Sequence, residues 1–173
     1  MLLKDKLRAA IRRINADENL DDITIDRAIA ALERSEKTGG LERNRDLTEN
    51  LIKGVSVPRA SGGDGPFSRN VTVRFFDFNP ANLHKNEFLA INQFRIDYIG
   101  RVGFVIPDIV LFVNGIPLAV IECKSPSLAE TEDAGFWKPI EAGINQLLRY
   151  SNMREEVEME EGGEQLFHWN QLM

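Results

Sequence analysis

The stretch Pro107–Lys124, PDIVLFVNGIPLAVIECK, constrains this chain more than any other. Two apolar runs flank an Asn-Gly pair, a strong short-range signal for a β-hairpin. Ionisable groups stand only at the outer ends: Asp108 opens the first run, and Glu122 and Lys124 close the second. Side chains alternate along a strand, so Glu122 and Lys124 share one face while Ile121 and Cys123 take the other. The hairpin thus holds one acid against a second acid and an ammonium. Such a cluster beside an apolar interior is costly unless a cation or substrate compensates the carboxylates.

Register sharpens the expectation. A two-residue Asn114-Gly115 loop pairs Val113 with Ile116 and sets Asp108 against Ile121, on the wrong face. A slip of one residue reverses every side chain. Direct opposition of Asp108 and Glu122 therefore requires a three-residue loop, Asn114–Gly115–Ile116, or a bulge, with Gly115 supplying a left-handed residue. Pro117 then opens the second strand, where a missing N–H is tolerated.

A chain of 173 residues with 43% hydrophobic content suits a single domain with a real core. No apolar run approaches the ~20 residues of a membrane span, and the N-terminus lacks a secretory apolar stretch. One cysteine excludes an internal disulfide and fits the cytoplasm. With His84, His168 and Cys123 as the whole complement of softer ligands, zinc has no ligand set. A metal here would be a hard, oxygen-liking one. The net charge of −6 argues against nucleic-acid contact. Residues 154–164, REEVEMEEGGE, hold six glutamates and one arginine, however, so this solvated run accounts for nearly all of that charge.

Along the chain, residues 2–16 read as an amphipathic helix with Leu3, Leu7, Ala10, Ile11 and Ile14 inward. Its basic face, Lys4, Lys6, Arg8, Arg12 and Arg13, is either a solvated surface or a nucleic-acid contact. A second helix runs from after Thr24 toward Lys37, with Ile25, Ala28, Ile29 and Leu32 inward, and a third spans Asp46–Lys53 on Leu47 and Leu51. After Gly54 the texture becomes loop-like, and SGGDGP at 61–66 is not followed by the Lys-Ser or Lys-Thr of a phosphate-binding loop. Strands are expected at Val71–Phe78, Glu87–Asp97 and Val102–Ile106, the middle one covered on both sides. A loop at 125–136 leads to a helix from about Trp137 to Met153, with Ile140, Ile144, Leu147 and Leu148 as its apolar stripe. Gln146 and Tyr150 lie one turn apart beside it. The terminal LFHWNQLM reads as a strand or packed tail that stops abruptly, as in a fragment.

The pattern Asp-x13-Glu-x-Lys contains the parts of a magnesium-dependent phosphodiesterase site. Two carboxylates hold a hard cation, with a main-chain carbonyl such as that of Cys123 as a further donor. Lys124 can orient the attacking water or neutralise developing charge. A surface salt bridge at a strand end is the competing reading of Glu-x-Lys. Cys123 itself is expected to be a small buried hydrophobe.

The segment PDIVLFVNGIPLAVIECKSP resembles the nuclease core of the restriction (R) subunit of type I restriction-modification enzymes, within the PD-(D/E)xK superfamily. The similarity extends through NRDLTENLIKGV, FFDFNPANLHKNEFLAINQF, NQLLRY and LFHWNQLM, covering residues 22–173. It implies an α/β fold with a mixed central sheet flanked by helices: a helical part at 1–54, a catalytic core at 55–153, and an acidic loop and truncated tail at 154–173. Asp108 and Glu122 become metal ligands with the Cys123 carbonyl, Lys124 the catalytic lysine, and Gln146 and Tyr150 a Gln-x-x-x-Tyr motif that supports the site and contacts DNA. The family supplies a glutamate from its first core helix, for which Glu33 and Glu49 are both candidates, and an arginine where this chain has Ile106. The resemblance further implies Mg2+ as cofactor, DNA as substrate, and methyltransferase (modification) and specificity subunits as partners. ATP-driven translocation belongs to motor domains that 173 residues cannot contain. A non-catalytic DNA-binding or docking domain and a stand-alone repair or junction-resolving nuclease are the alternatives.

Overall fold

The computed structural model describes residues 2–34, 40–60, 69–97, 102–125 and 138–150. The helices are α1 (Lys4–Ile14), α2 (Asp22–Glu33), α3 (Gly40–Lys53) and α4 (Lys138–Tyr150). The strands are β1 (Val55–Pro58), β2 (Asn70–Val73), β3 (Phe88–Asn92), β4 (Ile96–Asp97), β5 (Phe104–Val105), β6 (Ile109–Val113) and β7 (Ile116–Ile121). Contacts gather the chain into two compact units: Leu2–Leu89 with Phe112–Ile116, and Ala90–Leu111 with Pro117–Met173.

The first unit is built as helical periodicity dictates. Leu7, Ala10, Ile11 and Ile14 of α1, Ile25, Ala28, Ile29 and Leu32 of α2, and Leu47 and Leu51 of α3 are all buried. Helix α2 starts earlier than expected because Asp21 caps it, accepting the Thr24 N–H at 2.7 Å. Helix α3 begins six residues before the expected Asp46 and ends at Gly54, whose φ of 80° suits a left-handed stop. The Gly54 N–H closes the last turn on the Asn50 carbonyl at 2.9 Å. Strand β1 follows at once and pairs antiparallel with β2, placing Val55 opposite Val73 and Val57 opposite Val71. A strand replaces the loop-like texture expected after Gly54, since VSVP is too short to show a period. Strand β2 stops at Val73, not Phe78, because a side chain takes over from the ladder. Buried Asn15 accepts the Arg74 N–H at 2.9 Å and donates to the Arg74 carbonyl at 2.8 Å.

The Asn-Gly turn belongs to the same unit. Asn114 and Gly115 have φ of 54° and 81°, the two left-handed residues of a type I′ turn. The loop therefore has two residues, and the three-residue loop that would set Asp108 directly against Glu122 is not formed. Local turn chemistry decided this, as Asn-Gly is the preferred pair for such a turn. Asn114 is fully buried and works as a hub. Its Nδ2 donates to the Phe75 carbonyl at 2.8 Å and to Asn86 Oδ1 at 2.9 Å, and its Oδ1 accepts the Glu87 N–H at 2.8 Å. Gly115 is demanded twice: by its φ, and because a Cβ there would lie 2.6 Å from the Leu3 carbonyl oxygen.

The strands form three small sheets: β1-β2, β3-β6-β7 and β4-β5. The one mixed central sheet expected from the resemblance is not seen among the described residues. The expected strand 87–97 is broken because Gln93 turns left-handed (φ 51°) and sends its N–H to the Asp108 carbonyl at 2.8 Å. Nor is it covered on both sides: Phe88, Ala90 and Asn92 are exposed, while Leu89 and Ile91 are half-buried. Pro117 lies on β7, an edge of its sheet among the described residues, where it breaks no ladder. The segments 61–66 and 154–164, the loop after Ser125 and the tail LFHWNQLM lie outside the described residues.

Candidate active site

The candidate site lies in the second unit, where the hairpin strands stop. Strand β6 begins at Ile109 and β7 ends at Ile121, so Asp108, Glu122, Cys123 and Lys124 all fall just beyond the ladder. Pro107 explains part of the termination, since it has no N–H to extend the pairing. Counted from the two-residue turn, Asp108 stands against Ile121. Strand alternation therefore does not bring the acids together. A side chain does: Asp108 Oδ2 accepts the Cys123 N–H at 2.6 Å, fixing this carboxylate on the residue next to Glu122.

Glu122, Lys124 and Gln146 form a connected group. The Gln146 Nε2 of α4 donates to Glu122 Oε2 at 3.0 Å, and its Oε1 accepts from Lys124 Nζ. A carboxylate only accepts and an ammonium only donates, so the two charges leave the amide a single orientation. Lys124 Nζ also stands 3.9 Å from Glu122 Oε2. The Glu122 side chain is 3% exposed and that of Lys124 25%. An exposed strand-end salt bridge, the competing reading, would leave both solvated. A charge this deep instead depends on charge-assisted bonds for compensation.

Two expectations need correction. Cys123 is exposed, not a buried hydrophobe: it lies on the same side as Ile121, which is 41% exposed while still within β7. Ile140 and Ile144 of α4 are also exposed, so the expected apolar stripe is not packed among the described residues. The helix turns Gly143 and Gln146 toward the strand end instead. Tyr150 closes α4, and its side chain lies outside the described ones. Ile106 is exposed. Of the two candidate glutamates, Glu33 pairs with Lys4 at 2.9 Å and Glu49 with Lys53. That lysine's hydrogen bond, then its charge, holds the Glu49 carboxyl below its usual range.

The basic face of α1 is resolved by its partners. Lys6 pairs with Glu87, Arg8 with Asp26 and Arg12 with Asp22, while Arg13 donates to the Lys85 carbonyl at 2.7 Å. With Lys4 on Glu33, four of the five cations of that face have a carboxylate partner, and the Arg13 charge rests on a carbonyl. Among the described residues, no three His, Cys, Asp or Glu side chains gather as a metal-holding group. No described helix is long and apolar enough to cross a membrane.

An α/β chain carrying this acid–lysine–glutamine group matches, over residues 1–173, the family described as Type I restriction enzyme R protein N terminus. The chain belongs to that family. It is 37% identical, over 64% of its length, to a protein of Methanocaldococcus jannaschii described as a putative type I restriction enzyme MjaIXP endonuclease subunit. It is 33% identical, over 75% of its length, to the type I restriction enzyme HindI endonuclease subunit of Haemophilus influenzae. The aligned parts are 10% and 11% of those proteins, so the chain spans about a tenth of the curated relatives it matches. No solved structure matches it.

Proposed function

We propose that this chain is the endonuclease domain of a type I restriction subunit and hydrolyses DNA phosphodiester bonds with Mg2+. Asp108, Glu122 and Lys124 are its catalytic residues. The observation that carries the reading is the Gln146 amide joining a buried Glu122 to Lys124, one residue from the backbone that holds Asp108. Membership of the R-protein family supports it.

The donor chemistry fits the proposed cation. Two carboxylates and the Cys123 carbonyl would give an all-oxygen set, which would suit a hard ion that keeps several of its waters. When bound, Mg2+ would supply an acidified water and charge stabilisation on the phosphorane. The chain's own residues supply orientation. Gln146 Oε1 holds the Lys124 ammonium beside Glu122, where it can orient a water or offset charge on a phosphate oxygen. Gln146 Nε2 holds the Glu122 carboxylate against rotation. The Cys123 N–H does the same for Asp108. Tyr150, one turn beyond Gln146, contributes a DNA contact. Outside this domain, ATP-driven translocation and the modification and specificity subunits complete the enzyme.

The test is cleavage by the full-length subunit in its complex. Asp108→Ala, Glu122→Ala and Lys124→Ala should each lower kcat by about a hundredfold or more while leaving ATP hydrolysis intact. Calorimetric Mg2+ uptake should weaken with either carboxylate removed. Unchanged cleavage by Lys124→Ala refutes its role.

A further inference from the structure

We infer that Gly143 is a positioning residue for Lys124: the lysine stem crosses α4 at this position and leaves room for nothing larger than a methyl group. This rests on the catalytic reading of Lys124 given above. A Cβ built at Gly143 would lie 3.5 Å from Lys124 Cγ and 3.9 Å from Lys124 Cε, with no other atom of the described residues within 4 Å apart from its chain neighbours and its own helix backbone. The stem is thus laid over this one helical position. Its ammonium then reaches Gln146, three residues further along the same face.

A glycine in a helix interior is unfavourable relative to alanine and calls for a reason. Two common ones are absent. Gly143 lies in the middle of α4, far from its C-terminal end, and it is not among the glycines with positive φ. What the position does face, among the described residues, is the Lys124 stem, which limits the size of the residue here. A methyl at 3.5 Å is ordinary van der Waals contact, so alanine fits. A β-branched residue adds two carbons on a stiff χ1, in the volume the stem occupies. Lysine is a point charge on a flexible four-carbon chain. Fixing that chain along its length sets where the charge stands, and Gln146 alone fixes only its tip.

The experiment compares Gly143→Ala and Gly143→Val in the full-length subunit, with Lys124→Ala as control. Valine is no worse a helix former than glycine, so neither variant should unfold α4. Thermal unfolding checks this directly. Two readouts follow: acylation of Lys124 by an amine-reactive reagent, followed by mass spectrometry, and the kcat and KM for DNA cleavage. Gly143→Ala should acylate and cleave like the unsubstituted protein. Gly143→Val should acylate Lys124 faster and lose about a hundredfold in kcat, the scale of a misplaced catalytic group, with KM unchanged. Unchanged acylation in Gly143→Val overturns the inference even if Lys124→Ala is inactive. Faster acylation with undiminished cleavage, and an active Lys124→Ala, overturns the catalytic reading on which it rests.

Discussion

Replacing Gln146 by leucine removes the amide that serves both Glu122 and Lys124 while keeping a strong helix former in α4. Each lost bond involves a charge, and such bonds contribute about 1.5–3 kcal/mol. The two losses are unequal. Lys124, 25% exposed, can turn its ammonium to water, so its share is heavily discounted. Glu122, 3% exposed, cannot rehydrate without opening the site, so it carries most of the cost. Gln146→Leu should therefore destabilise the chain by about 2 kcal/mol in metal-free buffer. Urea midpoints at constant m measure it. The second arm is Glu122→Gln, which removes the buried charge. On that background Gln146→Leu should cost only about 1 kcal/mol, as for a neutral bond. The remaining difference, about 1 kcal/mol, is the coupling read from a double-mutant cycle. Strict additivity of the two substitutions would refute the bridge.

Asn114→Gly keeps the left-handed turn but deprives the Glu87 N–H and the Phe75 carbonyl of their partner, at a cost of about 2–4 kcal/mol. Asn114→Ala should lose about 1–2 kcal/mol more through its positive φ, and equal melting points for the two would refute that division. The Glu49–Lys53 pair should give a small pH-linked contribution. Because the carboxyl is depressed in the folded chain, the contribution is present at neutral pH. It is lost as acid titrates through the depressed value. Glu49→Gln should therefore differ from the unsubstituted chain at pH 7 and converge with it in acid, as read from urea midpoints. A gap that widens in acid would reverse the sign.

The parts of the fold that were legible are those where one element decides its own burial. The spacing of Leu7, Ala10, Ile11 and Ile14 marks a buried stripe, and the structure buries those residues. Strand β3 shows the limit. FLAIN is apolar on both faces in sequence, yet coverage depends on which elements arrive, and one face stays exposed. The left-handed turn at Gln93, which splits the expected strand, is made by a glutamine, a residue that seldom takes that conformation. For α4, Ile140 and Ile144 of the expected apolar stripe are exposed, and Gly143 and Gln146 meet Lys124. Glu122 and Lys124 stood out as the charges ending an apolar run. Gln146 was legible only through family resemblance, since its worth lies in two charges distant in sequence.

The register of the hairpin shows how turn chemistry and site chemistry can be reconciled. Direct opposition of Asp108 and Glu122 within the ladder needs a third loop residue or a bulge. The turn keeps its preferred two residues, with Asn114 committed to Phe75, Asn86 and Glu87. A third loop residue would disturb those bonds, whereas ending the ladder early costs little. Pro107 offers no N–H, and β6 starts only at Ile109. Asp108 then lies outside the alternation that would have pointed it away, and its carboxylate takes the Cys123 N–H in place of a backbone partner. Asp108→Asn tests this division of labour. Asparagine keeps an acceptor for Cys123, so it should leave the melting point nearly unchanged while weakening Mg2+ uptake. A large loss of stability would mean that the charge, not the hydrogen bond, holds the strand end.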